Sequence, residues 1–458
     1  MVVEVVQLPT FNLLLLLPSL LLTVNTMMEC KNSALCIFDG VPVQTDIMRS
    51  YVEPYYPISG LNGPIEFAIE GNTEDYIDSN DIYLYAQYRI LKADGSKPTA
   101  GTDKVATINL PLASLFKDVS LVVGAEQIEG GQQSYPYLAY FPTLLQMHPA
   151  AQKSHMFSFG WARDQAGKLD DASNTGFVKR QKWVDGGRTH EVYRPLFLDF
   201  LRQSRYLISQ VDMRIKLTPH KPEFALLSFD TGPNYKIKFE KCILNVRRLR
   251  MNPSVINGHT HGMVKRNAIY PINHCKLIDF TIPAGQRSYT RERLFPLQAP
   301  KMLAIGLVEN DAYNGAYNKN PFNLQHFNLS EIMLYRNGVG VPGRPFTPDF
   351  SSAGAGSSTQ YLRSYINTMQ TMGYFNSDDS NGLTYEEFGG GFALFAFDLT
   401  ADNNVGAPYR QVVSNTNLRI DLKFAKNLPA TINLLIYAVF DSQVEITQTR
   451  DVLTDYSR

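Results

Sequence analysis

Four side chains in one stretch of this sequence have metal-ligand chemistry: His259, His261, His274 and Cys275. Structural zinc needs four thiolate or imidazole donors, delivered by closely spaced pairs on either side of a turn. An H-x-H followed much later by H-C lacks that spacing, so no metal is expected there. Residues Ser377–Phe388 place Gly382 at the sixth position of a twelve-residue calcium loop. They offer Ser377 at the first position and Phe388 at the twelfth, where carboxylates are required. Three acidic pairs, Glu309 with Asp311, Asp170 with Asp171, and Asp378 with Asp379, are the available carboxylates for glycoside hydrolysis. Adjacent acids in polar loops are more often plain solvated features. Asn328-Leu329-Ser330 is a glycosylation sequon, meaningful only in a secreted chain. Nucleophile elbow, P-loop and dinucleotide fingerprint are all lacking. Gly389-Gly390-Gly391 precedes an aromatic strand rather than a helix, which points to a bulge or tight packing instead of phosphate binding. No catalytic, cofactor-binding or metal residue is assigned, no cofactor is called for, and enzymatic activity is not expected.

Elements that would carry such residues are mostly strands. The chain has 458 residues, too many for one core, with 25 Tyr and 26 Phe, the aromatic content of pleated, half-buried strands. Lys plus Arg and Asp plus Glu are 43 each, which argues against a protein whose task is neutralising nucleic-acid phosphates. Arg247-Arg248-Leu249-Arg250 is the densest basic cluster and reads as a solvated strand edge that discourages wrong pairing. Cys30, Cys36, Cys242 and Cys275 are too few for a disulfide framework, so free thiols in a reducing compartment are expected.

The strand signals come twice in the same order, roughly 195–220 residues apart, as in a duplicated domain. Phe67-Ala68-Ile69 then Tyr76 matches Phe280-Thr281-Ile282 then Tyr289. Apolar strands Ile82–Leu91 and Met302–Val308 follow, then helical stretches near Thr143–Ser154 and Gln360–Met372. Pro149 weakens the first of these. Next come Leu196–Phe200 and Leu394–Asp398, then Arg214–Leu217 and Arg419–Leu422, and finally long strands Tyr235–Arg250 and Ala430–Thr447. The alternating Ile82–Ile90 run carries aromatics on both faces, so one face is free to pack a second surface. Asp94-Gly95 and Asn337-Gly338 mark tight hairpins, and Thr384 with Glu387 marks a capping box. Trp161–Arg188, Asn310–Asn320 and Gly340–Ser358 read as long functional loops.

These signals predict an all-β chain of two tandem β-sandwich domains, each with a short helix. Residues 1–45 form a leader or arm, 46–251 the first β domain, 252–268 a polar junction, 269–447 the second, and 448–458 a tail. Phe11–Val24 is apolar but short for a membrane span and interrupted by Pro18, and it lacks the basic flank and cleavage site of a signal peptide. Met28 is therefore read as the native start, with residues 1–27 an upstream extension.

Several motifs carry a family resemblance. Tyr270-Pro271-Ile272-Asn273, Ile282-Pro283-Ala284-Gly285-Gln286, Ile305–Asn314, Asn320-Pro321-Phe322-Asn323 and His326-Phe327-Asn328-Leu329 resemble the major capsid protein of Polinton/Maverick elements and adintoviruses. So do Gly63–Phe67, Glu74–Asp78, Val211–Ile215, Asn252–Val255 and Asp451–Ser457. The resemblance runs from about Met28 to the C-terminus. It implies that the two domains, 46–251 and 269–447, are tandem eight-stranded jelly-roll β-sandwiches (a double jelly roll), with homotrimeric pseudo-hexagonal capsomers, an icosahedral shell around double-stranded DNA, and no enzyme activity. It also implies a single jelly-roll partner at the vertices, only indirect contact with DNA, a virion location and no stable membrane insertion. The competing reading is a secreted double-sandwich glycan-binding protein or glycan amidase or hydrolase. That reading calls for a working signal peptide, disulfides and clustered carboxylates. A third is a surface protein anchored by residues 11–24.

Overall fold

The computed structural model describes residues 43–131, 134–296, 298–350, 360–412 and 416–455. The leader, Met28 and the cysteines at 30 and 36 lie outside them. Residues Asp46–Arg458 form one compact unit.

Eight strands make the first sandwich: β1 (Ile47–Tyr55), β2 (Ile65–Ile69), β3 (Asp75–Lys92), β4 (Phe116–Val123), β5 (Glu126–Glu129), β6 (His190–Pro195), β7 (Met213–Pro219) and β8 (Tyr235–Met251). They pair as two antiparallel sheets, β1-β8-β3-β6 and β2-β7-β4-β5. Eight more make the second: β9 (Ala268–Ile282), β10 (Ser288–Arg291), β11 (Met302–Glu309), β12 (Leu329–Arg336), β13 (Val339–Phe346), β14 (Phe395–Asp398), β15 (Leu418–Phe424) and β16 (Ile432–Ile446). These pair as β9-β16-β11-β14 and β10-β15-β12-β13. Adding eight to each strand number of the first sandwich reproduces the second, so both have the same jelly-roll topology.

Alternation builds each core. Along β3, Ile82, Leu84, Ala86, Tyr88 and Ile90 are buried, while Tyr83, Tyr85 and Gln87 face outward. Strand β16 differs, being buried from Ile432 through Ser442 without alternation, because both its faces are covered. Asn337 and Gly338 join β12 to β13 with φ of 51° and 82°, the paired positive φ that a two-residue hairpin demands. Successive strands run in opposite directions. The β1–β2, β3–β4, β5–β6 and β7–β8 connections therefore share one end of a sandwich, and chain entry and exit share the other. Ile47 opposite Met251 marks that entry end in the first sandwich, and Ala268 opposite Ile446 marks it in the second.

Four longer helices decorate the sandwiches: α1 (Tyr135–Gln146), α2 (Thr175–Val184), α3 (Pro253–Met263) and α4 (Leu362–Thr371). Helix α1 in the β5–β6 connection and α4 in the β13–β14 connection occupy corresponding places. The first helix thus lies N-terminal of the expected Thr143–Ser154. Pro149 does not break it but opens a separate short helix, Pro149–Lys153, as proline does in a first turn. Pro142 lies inside α1. The preceding residues Ala139, Tyr140 and Phe141 are fully buried, so packing outweighs the lost hydrogen bond.

Other expectations need correction. Phe67–Ile69 belongs to β2 whereas Phe280–Ile282 closes β9, and the true counterpart of β2 is β10, which holds Tyr289. Leu196–Phe200 follows β6 rather than forming it: the chain leaves the sheet at Pro195 and turns at Phe200–Arg202. The polar stretches Trp161–Arg188 and Asn252–Arg266 contain α2 and α3, each opened by an asparagine side chain accepting from the helix, Asn174 from Gly176 N–H and Asn252 from Ser254 N–H. Finally, Arg247–Arg250 is not a sheet edge. It ends β8, which lies between β1 and β3, and its arginines pair across both neighbours: Arg247 with Asp81, Arg248 with Glu53 at 2.5 Å, Arg250 with Asp75 at 2.6 Å.

Candidate functional site

The residues with chemical potential are dispersed. His259 Nδ1 lies 2.9 Å from the Tyr76 hydroxyl and its ring stacks on Tyr76 at 5.8 Å. His274 Nδ1 lies 3.3 Å from Asp199, while the Cys275 thiol accepts from the Tyr437 hydroxyl at 3.0 Å. Among the described residues, no three His, Cys, Asp or Glu side chains are grouped to hold a metal ion. Glu309 and Asp311 share the ammonium of Lys319. Asp170 accepts from Asn320 N–H and Asn323 Nδ2, each at 2.6 Å. Asp171 accepts from Ser173 N–H, and Asp379 pairs with His148 at 3.3 Å. In the segment Ser377–Phe388, Glu387 closes the expected capping box with Thr384 and also takes Arg163.

What the fold does assemble is a seam between the sandwiches. Helix α1 lays its aromatic side on the second sandwich: Tyr140 stacks on Phe322 at 3.9 Å and 4°, Tyr137 stacks on Tyr313, and Phe141 meets Tyr437. Tyr137 also donates to Pro321 O at 3.1 Å. Arg163 grips Glu387 with two hydrogen bonds, Nε to Oε1 at 3.0 Å and Nη2 to Oε2 at 2.7 Å, a bidentate geometry stronger than a single contact. Tyr317 and Tyr235 exchange hydrogen bonds through the Tyr317 hydroxyl. Asp199 reaches the backbone N–H of Cys275 at 2.6 Å. Behind it Glu129 accepts from the N–H groups of Asp199 and Phe200, both at 2.8 Å. Burial, then the charge of Asp199, pushes its carboxyl well above the ordinary range. Several motif residues meet here: Tyr270, Tyr313, Asn320, Phe322 and Asn323.

The seam is one-sided. The second sandwich gives the outer face of sheet β9-β16-β11-β14, which explains why β16 is buried on both faces. The matching outer face of sheet β1-β8-β3-β6 carries Tyr83, Tyr85 and Tyr193. Tyr83 and Tyr193 stack at 5.2 Å, Tyr85 donates to Glu191 at 2.8 Å, and Lys241 lies over the Tyr85 ring. This is the outward face of the two-faced Ile82–Ile90 strand, and it is left partly exposed in the chain.

Sequence reasoning missed the interior of the β5–β6 connection. Arg180 of α2 is fully buried. It donates to Thr107 O at 2.9 Å, Ala162 O at 2.8 Å and Asp164 Oδ1 at 2.8 Å, and Asp164 also accepts from Asn109 and Asn174. One arginine among polar residues gives no periodic signal, so only folding reveals it as a core residue. Arg194 of β6 is buried too. Its guanidinium has no hydrogen-bond partner among the described residues and lies 4.1 Å over the Phe197 ring, and burial lowers its pKa to about 10.

The strand order and the seam define a double jelly roll. Solved structures with this fold include a chain of the Sputnik virophage, with TM-score 0.63, 13% identity, and coverage of 99% of this chain and 93% of that one. The Faustovirus major capsid protein aligns with TM-score 0.56 and 8% identity over 91% and 93% of the two chains. The mavirus major capsid protein aligns with TM-score 0.52 and 12% identity over 98% and 96%. By sequence, the chain is similar to an uncharacterized protein of Caenorhabditis elegans, 24% identical over 407 residues that cover 86% of this chain and 93% of that protein. No protein-family model matches.

Proposed function

We propose that this chain is a structural major capsid protein, encoded by a Polinton/Maverick-like or adintovirus-like element. Its trimers would form pseudo-hexagonal capsomers of an icosahedral shell around double-stranded DNA. The observation that carries this reading is the one-sided seam. Its two partners use different patches, α1 on the first sandwich and the outer sheet face on the second. A contact of that kind is heterologous, and repeated with a rotation that closes it builds a ring. The second sandwich holds the counterpart of α1, helix α4, with Leu362 at its start and Phe375 just beyond it both exposed. The first holds the counterpart of the covered sheet, with its tyrosine cluster in the open. Docking the α4 side of one copy on the β1-β8-β3-β6 face of the next repeats the intrachain step, and three such chains close a ring of six sandwiches.

The capsid proteins that share the fold support the shell function, and the Tyr270–Asn273, Ile305–Asn314 and Asn320–Asn323 motifs support the assignment to Polinton-like elements. The reading takes 46–251 and 269–447 as the two jelly rolls, joined through 252–268, and a single jelly-roll protein as the vertex partner. It places the chain in the virion capsid, without enzyme activity, membrane insertion or direct binding of DNA. The test is expression of the full chain, followed by light scattering and electron microscopy. Trimers of sixfold outline are expected. A product that stays strictly monomeric at every concentration would sink the proposal.

A further inference from the structure

At the end of the second sandwich away from chain entry lies a cavity of about 700 Å³ that the assembly reading does not use. Four connections wall it: residues 167–171 of the first sandwich, the β11–β12 loop, Gly389–Gly391, and the β15–β16 loop. Backbone hydrogen bonds lock these walls together, Gly167 N–H to Gly390 O at 2.7 Å and Leu324 N–H to Gly391 O at 2.9 Å. Gly391 has φ of +107°, and a Cβ there would sit 2.5 Å from Leu169 Cδ1, so the close wall requires glycine. Phe327 and Asn328 both adopt the left-handed region, at φ of 44° and 52°, unusual for a phenylalanine and typical of backbone strain kept at binding sites.

The polar groups on these walls are fixed in orientation. Asp170 is held by Asn320 N–H and Asn323 Nδ2 and keeps acceptor capacity on both oxygens. His326 accepts from Asn328 N–H at Nδ1, 2.9 Å, which places its ring proton on Nε2 as a donor, and the ring is braced by stacking on Phe350 at 4.2 Å. Gln325 adds an amide that donates and accepts. Charges nearly cancel: Lys168 and Lys426 oppose Asp170 and Asp171, and Glu309 is taken by Lys319. Fixed donors and acceptors beside the apolar Phe327 and Leu169, without net charge, match hydroxyls on a ring that also has a C–H face.

We infer that this cavity binds a short neutral oligosaccharide. The inference stands apart from the capsid proposal, since it concerns the isolated chain in any oligomeric state. The experiment applies purified full-length protein to an array of neutral oligosaccharides ending in galactose, mannose, fucose or N-acetylglucosamine, with sialylated and sulfated counterparts alongside. Saturation-transfer NMR then measures any hit. Binding to a neutral sugar is expected, with at least a tenfold loss in Asp170→Asn and in His326→Phe, which keeps the stack on Phe350. Thermal melts report whether each variant is folded, and Gln325→Ala replaces a variant that is not. No binding to neutral sugars, a preference for the anionic set, or unchanged binding in the folded variants would each overturn the inference.

Discussion

Tyr83 of β3 and Tyr193 of β6 lie face to face on the outside of the first sandwich, 5.2 Å between centroids and 7° between planes. Tyr193 is 39% exposed although it belongs to a sheet whose counterpart in the second sandwich is covered. Large aromatics on an open face are typical anchors of a protein interface.

If the proposed trimer forms through this face, replacing Tyr193 by Glu, next to Glu191, should weaken it without unfolding the chain. An aromatic anchor contributes about 2 kcal/mol or more, so assembly should require at least tenfold more protein. Light scattering across a dilution series measures this. A parallel melt should move little, because the side chain leaves the core intact.

Asp164 and Arg180 pair at 2.8 Å with both side chains fully buried. Asp164→Ala strands the guanidinium in the core and should destabilise the chain by about 3–5 kcal/mol. Replacing both residues with apolar ones should recover little of that loss, because Thr107 O, Ala162 O and the Asn109 and Asn174 amides then lose buried partners. Urea denaturation of the single and double variants reads the difference.

Arg194 gives the opposite expectation. Its buried charge has ring faces for company and no hydrogen-bond acceptor among the described residues. Arg194→Met keeps the volume and removes the desolvated charge, so stability should be unchanged or higher by about 1–2 kcal/mol. A fall of several kcal/mol in a denaturation curve would show that the cation–π contacts outweigh desolvation.

Acid should destabilise the fold in a defined window. Burial lowers His190, His220 and His326 to about 4, from 6.5. Between those values the unfolded chain binds more protons than the folded one. The stability these histidines confer is therefore complete above about pH 6.5 and lost as pH falls toward 4, up to about 3 kcal/mol each. Glu129 acts the other way: its raised pKa means that its contribution is present at low pH and lost as pH rises. Urea titrations at neutral pH and near pH 4.5 should show the net loss. His190→Phe, which can keep the ring stacking with Trp183, should reduce it.

The sixteen strands were legible in the sequence wherever one face is buried and one exposed, because the period of two is then written in polarity. Ile82–Ile90 and Arg214–Leu217 show this. Legibility failed where local signals conflict with context. Phe280–Ile282 and Phe67–Ile69 have the same pattern, yet one closes β9 and the other is β2, since polarity does not encode which sheet a strand joins. Helix α2 was hard to see because an arginine, Arg180, sits between Phe177 and Val184 in its buried stripe.

For the candidate site, the sequence supplied the motif residues and the two-faced strand, but not their meeting place. Tyr313 and Phe322 meet α1, and Tyr270 meets Phe200 and Ile208, only once the two sandwiches pack together. Of the four metal-like residues, close in sequence, His259 is drawn to Tyr76, His274 to Asp199 and the Cys275 thiol to Tyr437. Composition and periodicity, being local, determined the β class, the duplication and the lack of a recognisable catalytic motif. Pairing, burial of charge and the one-sidedness of the seam depend on contacts between residues far apart in the chain, and only the tertiary structure decided them.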